Sequence, residues 1–587
     1  MADTTECNTS GLFSPIRIGH VEVRNRTVLP SMTTRLSDRD GYVTEDTLAY
    51  YQARAEGGVG LVTVEMASPE RAGRHRFHEL GIYHDQFVPG LRRLTDVIHE
   101  AGATASIQLG HGGSRARSAV SGQTPIAPSA VLTPVFEVEA EQVVPQAMTS
   151  ERIDQTVAAF VSAATRAQQA GFDVVELHGA HGYLISQFLS PKENVRTDEY
   201  GGSLENRARF GLRVLREIKA AVRGLPVIFR IGVEDFFPGG LTAAEGVQVG
   251  QWAERDGADA ISVTAGHYRS LPAAERMIPP MAYPAATFVD YAHQVRELVE
   301  VPVIGVGRLG DPDDAARAVH EGRLDMVALG RPLIADPGWV EKVRRDQPVR
   351  RCLACNHCVN NMRSGARLSC VVNPTTGRET EFRGAAPADG RRIVVIGAGP
   401  AGLSYAAQVA EGNQVVVFER AARPGGAFNL TGKAPLFNDV EAAEPTFAAF
   451  ISELERDCRR LGVDIRYAHE VSAGSEELRA VDLVVVAVGA RYRLGLGWLV
   501  PALLNTSAAR GRWARKAFAS PWVRHLLYYK IRTGRGHNLA DRLGLQDTEV
   551  VVIGDALRAG KAREAIASAF EAALLAPSRD TPLTPAR

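Results

Sequence analysis

Cysteine is scarce in this sequence, with six in 587 residues, beside five tryptophans and eight methionines. So few thiols exclude a disulfide scaffold, and 45% apolar composition at this length suffices for two or three ordinary cores. An excess of one charge is also missing. Lys and Arg number 67 and so do Asp and Glu, which gives no global field for nucleic acid, and no nucleic-acid partner is expected. Long apolar runs are absent too: no window of about 18 uninterrupted apolar residues occurs. The N-terminal "MADTTECNTSGLFSPIRIGH" lacks a basic stretch leading into an apolar one. A cytoplasmic, multidomain globular chain is expected.

The cysteines that do occur are clustered. "RCLACNHCVNNMRSGARLSC" (351–370) places Cys352, Cys355, Cys358 and Cys370 at C-x2-C-x2-C-x11-C spacing, with Cys7 and Cys458 as outliers. In a reducing compartment such a set suits a metal better than disulfides, and spacing alone leaves tetrahedral zinc and iron–sulfur both open.

Upstream, short β-branched runs alternate with helical patterns: "TVLPS" (27–31), "GLVTVEM" (60–66), "TASIQL" (104–109), "DVVELH" (173–178), "PVIFRIG" (226–232), "DAISVT" (259–264), "PVIGVG" (302–307) and "DMVALG" (325–330). Eight βα units predict a (β/α)8 barrel with its chemistry at the carboxyl ends of the strands. The polar residues at those ends are Ser31, Thr33, Thr34, Glu65, Gln108, His111, His178, His181, Tyr183, Arg230, His267, Arg308 and Arg331. "GVGR" (305–308) and "LGRP" (329–332) put Gly307, Arg308, Gly330 and Arg331 where barrels commonly hold a phosphate, although Gly-Arg pairs are also ordinary turns. Gln108 and Arg230 could offer an amide edge and a cation to a heterocycle; solvated rim polars are the plainer reading. In "HGAHGYL" (178–184), His178 and His181 could donate to one carbonyl oxygen while Tyr183 hands a proton to carbon. A metal pair, core histidines and a packing tyrosine are the competing readings.

These segments carry a family resemblance. "LPSMTT", "GVGLVTVE", "SIQLGHGG", "HGAHGYLISQFLSPKENVRTDEYGGSLENRARF", "VGRLGDP" and "LGRPLIADP" together resemble the Old Yellow Enzyme family of FMN barrels. With the cysteine segment and a nucleotide-binding tail, the chain is similar to the long members, of the 2,4-dienoyl-CoA reductase, 2-enoate reductase and trimethylamine dehydrogenase type. The resemblance implies FMN held by Ser31, Thr33, Gln108, Arg230, Gly307, Arg308, Gly330 and Arg331, with Tyr183 as proton donor and His178 and His181 binding the substrate carbonyl. It also implies a helper histidine after the sixth strand, for which His267 stands one place from the expected position. Cys352, Cys355, Cys358 and Cys370 would hold a 4Fe-4S cluster.

After the linker "GAAPADG" (384–390), "RRIVVIGAGPAGLSYAAQVAEGNQVVVFER" reads as strand, glycine turn, helix and strand. Gly397, Gly399 and Gly402 form G-x-G-x-x-G, and Glu419 follows 22 positions after the first glycine, where an acid takes ribose hydroxyls. "RPGGAFN", "VDLVVVAVGA" and "TEVVVIGDA" resemble further FAD-domain segments, with Asp555 expected near the ribityl-pyrophosphate of FAD, or of ADP in its place. The second glycine-rich subdomain that would take NAD(P)H in the long reductases is missing. In its place, from Leu483 to Ala540, stand ten Lys and Arg and no Asp or Glu, with Trp498, Trp513, Trp522, Tyr528 and Tyr529 interleaved. That stretch is expected to be a solvated cap, or to dock an acidic electron-transfer protein or a membrane interface.

The expected organisation is an FMN barrel over 1–340, a cluster segment and linker over 341–385, and a Rossmann-like FAD/ADP domain over 386–587 with a basic aromatic insert at 491–547. The expected activity is reduction of the C=C of an α,β-unsaturated carbonyl or acyl-CoA-like substrate. The alternative is an amine or alicyclic-substrate dehydrogenase that passes electrons out through the cluster. A homo-oligomer is expected.

Overall fold

All eight expected barrel strands form. In the computed structural model they run Thr27–Leu29, Leu61–Ala67, Thr104–Leu109, Val174–Gly179, Val227–Gly232, Ala260–Thr264, Val303–Gly305 and Met326–Ala328. The structure describes residues 9–134, 142–433, 436–437, 440–492, 504, 506, 511–526, 530, 532–534, 536–545 and 548–575. Each strand pairs in parallel with the next, and Val327 opposite Thr27 closes the ring. The strands are buried almost throughout, as parallel strands covered on both faces must be, so they read as continuous Val/Ile/Leu runs rather than alternating ones.

The helices between them start where the sequence caps them. Thr44, Thr149, Ser203 and Thr242 each accept a backbone N–H of the first turn, and Thr242 and Glu245 form a reciprocal capping box. Helix Ser150–Gln169 buries Ile153, Thr156, Val157, Phe160, Ala163, Ala164 and Ala167, one stripe at helical spacing. An N-terminal hairpin, Ile16–Ile18 paired with Val21–Val23, brings Ile18 and Val23 into the cluster of Val28, Leu61, Val174, Ile228, Ala260 and Ile304 inside the barrel. That plug seals the amino end of the strands. The carboxyl end carries the polar residues.

The chain divides into two compact units, Met1–Leu368 and Ser369–Arg587. The second is built on a parallel five-stranded sheet in the order Asp464–Arg466, Gln414–Phe418, Arg392–Ile396, Leu483–Val486, Glu549–Val552. Strand residues alternate between its faces: Ile393 and Val395 pack in the core with Leu403, Tyr405 and Ala569, while Val394 and Ile396 pack on the other side with Phe418 and Leu543. Helix Pro400–Val409 follows the glycine turn, with Gly399 as its N-cap and Pro at its first turn. This is the Rossmann-like arrangement expected from the sequence.

Candidate functional site

The carboxyl end of the fourth barrel strand presents the densest chemistry. His178 and His181 stand with ring centroids 5.2 Å apart, and Tyr183 lies 4.9 Å from His178. A left-handed backbone at His181 (φ 64°) and at Gly182 (φ 79°) turns the chain sharply and brings the three rings together. At Gly182 a side chain would also collide with the His267 ring, 2.4 Å from the Cβ position. His181 Nε2 lies 3.2 Å from Thr264 Oγ1, and His178 Nδ1 is buried without a protein hydrogen-bond partner. Burial, and after it the neighbouring His178, Arg230 and His267, holds His181 well below the usual imidazole range. Burial followed by Arg230 and His75 does the same to His178. Both rings are therefore neutral at pH 7 and can each donate one N–H to an oxygen.

Beside them sits a second group of buried polar residues on the third to fifth strands. Ser31 Oγ donates to Gln108 Oε1 (3.0 Å), and Gln108 Nε2 donates to Glu176 Oε1 (2.7 Å), which fixes the amide edge. Arg230 is buried, its Nη1 3.9 Å from Glu176 Oε1, and its Nε and Nη1 have no hydrogen-bond partner. Buried guanidinium N–H groups left unpaired are costly, and an acceptor such as a flavin carbonyl would satisfy them. Thr33 is half-buried nearby in sequence.

Gly307 and Arg308 follow the seventh strand, and Gly330 and Arg331 the eighth. Gly307 has φ 113°, where a Cβ would meet the Phe288 ring at 2.8 Å, and Arg308 follows with φ 56°. Arg308 is pushed below the usual guanidinium range by burial and by the facing Arg331, and its Nε is unpartnered. Two facing cations beside a glycine turn fit a phosphate. Arg331 donates to Asn356 Oδ1 (2.6 Å) and to Pro279 O (2.7 Å), which ties the start of the cysteine segment to the barrel rim. Gly330 opens a short helix through Ala335.

Cys352, Cys355 and Cys358 belong to the first unit and Cys370 to the second. Left-handed Ala354 and Asn356 wind the chain around the first three, and Ala354 N donates to Cys352 Sγ at 3.3 Å. Cys355 and Cys358 are buried, Cys352 and Cys370 half-buried. Among the described residues, no three or more His, Cys, Asp or Glu are gathered so as to hold a metal ion. The donor chemistry of these thiols fits iron or zinc.

In the second unit a Cβ on Gly397 (φ 113°) would stand 2.6 Å from Ala487 O, and one on Gly402 would stand 1.9 Å from Gly397 O, whereas Gly399 faces open space. The first and third glycines are thus needed for packing, and the second leaves room for a ligand. Glu419 accepts Ala398 N and Ala421 N, both at 2.9 Å, so its carboxylate braces the turn. Asp555 is ion-paired with Arg532 and accepts Gly560 N at 3.0 Å. Of the basic aromatic segment, helix Arg512–Ala519 and Trp522 are described, while Trp498, Tyr528 and Tyr529 lie outside the described residues, as does Cys7.

Several neighbours of Tyr183 carry no sequence pattern that marks them. Tyr183 Oη lies 3.2 Å from His75 Nε2 and 3.5 Å from Arg76 Nη2, both from the loop after the second strand. His267, the helper expected from the resemblance, has its Nδ1 taken by Arg269 N (3.0 Å) and its Nε2 facing Glu193 Oε2 at 3.4 Å. On the other side of Tyr183, Tyr268 (centroids 6.1 Å apart) is flanked by the guanidiniums of Arg115 and Arg363, 5.1 and 5.4 Å from its ring. The only sequence hint of His75 is the density of His and Arg in "RAGRHRFHE" (71–79).

Comparison with known proteins agrees with this architecture. Residues 11–349 match the NADH:flavin oxidoreductase / NADH oxidase family and residues 395–432 an NAD(P)-binding Rossmann-like domain. The chain is 37% identical over 489 residues to an NADH oxidase of Thermoanaerobacter brockii, covering 81% of this chain and 72% of the relative. It is 31% identical over 568 residues to an N,N-dimethylglycine/sarcosine dehydrogenase of Chromohalobacter salexigens, covering 94% and 80%. The solved structure of a 2-naphthoyl-CoA reductase with 2-naphthoyl-CoA superposes with TM-score 0.84 at 25% identity, over 96% of this chain and 99% of that one. No helix among the described residues is long and apolar enough to cross a membrane.

Proposed function

The chain belongs to the NADH:flavin oxidoreductase / NADH oxidase family, and from that premise we propose that this flavin oxidoreductase is an ene-reductase acting on the C=C of an α,β-unsaturated carbonyl or acyl-CoA-like substrate. The observation that carries the reading is the convergence of two neutral imidazoles and a phenol at one strand end. Two N–H donors suit an oxygen that gains negative charge, and a phenol suits protonation of the carbon beside it. FMN would lie against Ser31, Thr33, Gln108 and Arg230, its phosphate at Gly307, Arg308, Gly330 and Arg331. When bound it supplies the hydride. His178 and His181 hold the substrate carbonyl and stabilise the enolate oxygen, and Tyr183 gives its proton to the α-carbon. Cys352, Cys355, Cys358 and Cys370 are proposed to carry a 4Fe-4S cluster, and the turn of Gly397, Gly399 and Gly402 with Glu419 is proposed to take FAD or ADP.

A second reading, oxidation of an amine, draws on the dimethylglycine/sarcosine dehydrogenase among the relatives. The charge of the site speaks against it. Arg76, Arg115 and Arg363 stand beside Tyr183 and Tyr268, and although Glu79 and Glu193 offset part of this charge, three guanidiniums offer a carboxylate or thioester oxygen donors that a cationic amine cannot use. The deciding experiment is anaerobic: flavin-reduced holoenzyme mixed with 2-cyclohexen-1-one, and oxidised holoenzyme mixed with dimethylglycine. Reoxidation by the enone is expected, with no bleaching of the flavin by the amine. Bleaching by the amine without reoxidation by the enone would reverse the assignment.

A further inference from the structure

Tyr183 can deliver one proton per turnover only if the phenolate left behind is reprotonated, and the groups that touch its oxygen are the place to look. His75 Nε2 is 3.2 Å from Tyr183 Oη, and His75 Nδ1 is 2.9 Å from Glu79 Oε2. All three side chains are buried. Glu79 is locked in place, because the same Oε2 accepts His75 N at 2.8 Å and Arg76 N at 3.2 Å. Burial pushes the Glu79 carboxyl up, but the His75 charge and hydrogen bonds and the nearby Arg74 outweigh it and hold the group below the usual carboxylate range. Phenol, imidazole and carboxylate thus stand next to one another within 3.2 Å at each step, and the loop 71–79 supplies the last two.

We propose that His75, oriented by Glu79, is a relay that returns a proton to Tyr183 after each transfer to substrate. This inference rests on the reading of Tyr183 as proton donor. In the forward step the α-carbon of the substrate enolate takes the Tyr183 Oη proton, and the O–H bond electrons remain on the phenolate. His75, as imidazolium, then gives its Nε2 proton to the phenolate and is left neutral, with its Nδ1 side 2.9 Å from the Glu79 carboxylate. A proton from solvent restores the imidazolium; no electron moves in either step. Arg76 Nη2, 3.5 Å from Tyr183 Oη, attracts the negative charge while it exists. Further ionisable groups acting on this cluster include Arg74, Glu65 and His178. His75 is a positioning and relay residue, since it reaches the substrate only through Tyr183.

The relay predicts a signature that a structural role would not give. In the first turnover Tyr183 already holds its proton, so flavin-reduced His75→Gln should be reoxidised by 2-cyclohexen-1-one within about twofold of the wild-type rate. Its steady-state turnover should fall about tenfold or more, with an enlarged solvent deuterium isotope effect, at unchanged flavin content. Added imidazole should restore part of the turnover to His75→Ala. Glu79→Gln keeps acceptors for the two backbone N–H groups but loses the charge; it should show the same split more weakly, and it carries the test should the His75 variants fail to fold. Wild-type turnover in His75→Gln, or an equal loss in first and later turnovers, would overturn the relay. Unchanged single-turnover reoxidation in Tyr183→Phe would instead overturn the assignment of Tyr183 as donor, so the two failures are distinguishable.

Discussion

The two units use the same amino-acid alphabet in opposite ways. In the barrel, the proposed chemistry is carried by side chains brought from separate strands to one end: Gln108, His178 and Arg230 on the third, fourth and fifth strands, Tyr183 just past the fourth, and the arginines after the last two. In the nucleotide unit it is carried by backbone, and the decisive residues are those with no side chain at all. Gly397 and Gly402 are fixed by contacts of 2.6 and 1.9 Å that a Cβ would make with main-chain oxygens. The difference teaches where each unit is fragile. Deleting atoms should damage the barrel site, and adding atoms should damage the nucleotide turn.

The largest effect is therefore expected from an addition. Gly402→Val puts a branched side chain against Gly397 O, a main-chain atom that cannot swing aside, and should abolish nucleotide binding or folding of the second unit. Adenine nucleotide content of the purified protein and the thermal unfolding profile measure this. Gly399→Ala is the control, because nothing stands within 4 Å of its Cβ position. It should fold normally, and any loss of nucleotide would then report the close approach of the ligand. Normal nucleotide content in Gly402→Val would show that the turn can open, and the contrast between the units would weaken.

A deletion in the barrel comes next. His178→Ala should lower enone reduction by about 10²–10³-fold, the usual cost of removing one oxyanion donor, while leaving flavin content unchanged. The ratio is read from kcat/KM with 2-cyclohexen-1-one. A loss of flavin in the same variant would mean that His178 serves the cofactor rather than the substrate.

How much of this could be read from the chain follows the same division. All eight barrel strands and the glycine turn with Glu419 were legible, because parallel strands buried on both faces are unbroken β-branched runs and a tight phosphate turn demands glycine at fixed spacing. His178, His181 and Tyr183 were legible because one short strand end carries all three. His75 and Glu79 were not, since they sit on an aperiodic loop more than 100 residues upstream of Tyr183, and only closure of the barrel brings them beside it. The Asp555 segment likewise has the expected pattern, while its ion-pair partner Arg532, from the insert, is marked by no motif.

A third, intermediate effect should appear in stability against pH. Glu65, on the second strand, is buried and raised from 4.5 to about 7, chiefly by burial, although Thr34 N and Oγ1 donate to it at 2.9 and 2.5 Å. Folding thus favours its protonated form. The contribution is whole below about pH 4.5 and is lost as pH rises through about 7. Its size is roughly 3 kcal/mol. Glu65→Gln, neutral at every pH, should flatten the decline in unfolding free energy across that window. Denaturant titrations at pH 5 and 8 would show it; an undiminished decline in the variant would place the titrating group elsewhere.

The smallest effect belongs to the basic face of the nucleotide unit. Helix Arg512–Ala519 exposes Arg512, Arg515 and Lys516 together with Trp513, and Trp522 beyond it is 70% exposed. Arg515 meets Glu441 at 2.8 Å with both side chains about half exposed, so this ion pair is screened by water and salt. Changing these residues should leave stability within about 0.5 kcal/mol of wild type. The chemistry of the face suits a proposed acidic electron-transfer protein, for which an excess of cations and two exposed indoles would supply attraction and contact area. If it docks there, Arg512→Glu combined with Lys516→Glu should slow electron exchange with a small acidic iron–sulfur carrier several-fold at 20 mM salt. The difference should fade as added salt shortens the Debye length to about 3 Å near 1 M. Dithionite-driven enone reduction in the barrel should be untouched throughout. Equal rates for variant and wild type at low salt would leave the face as a solvated cap.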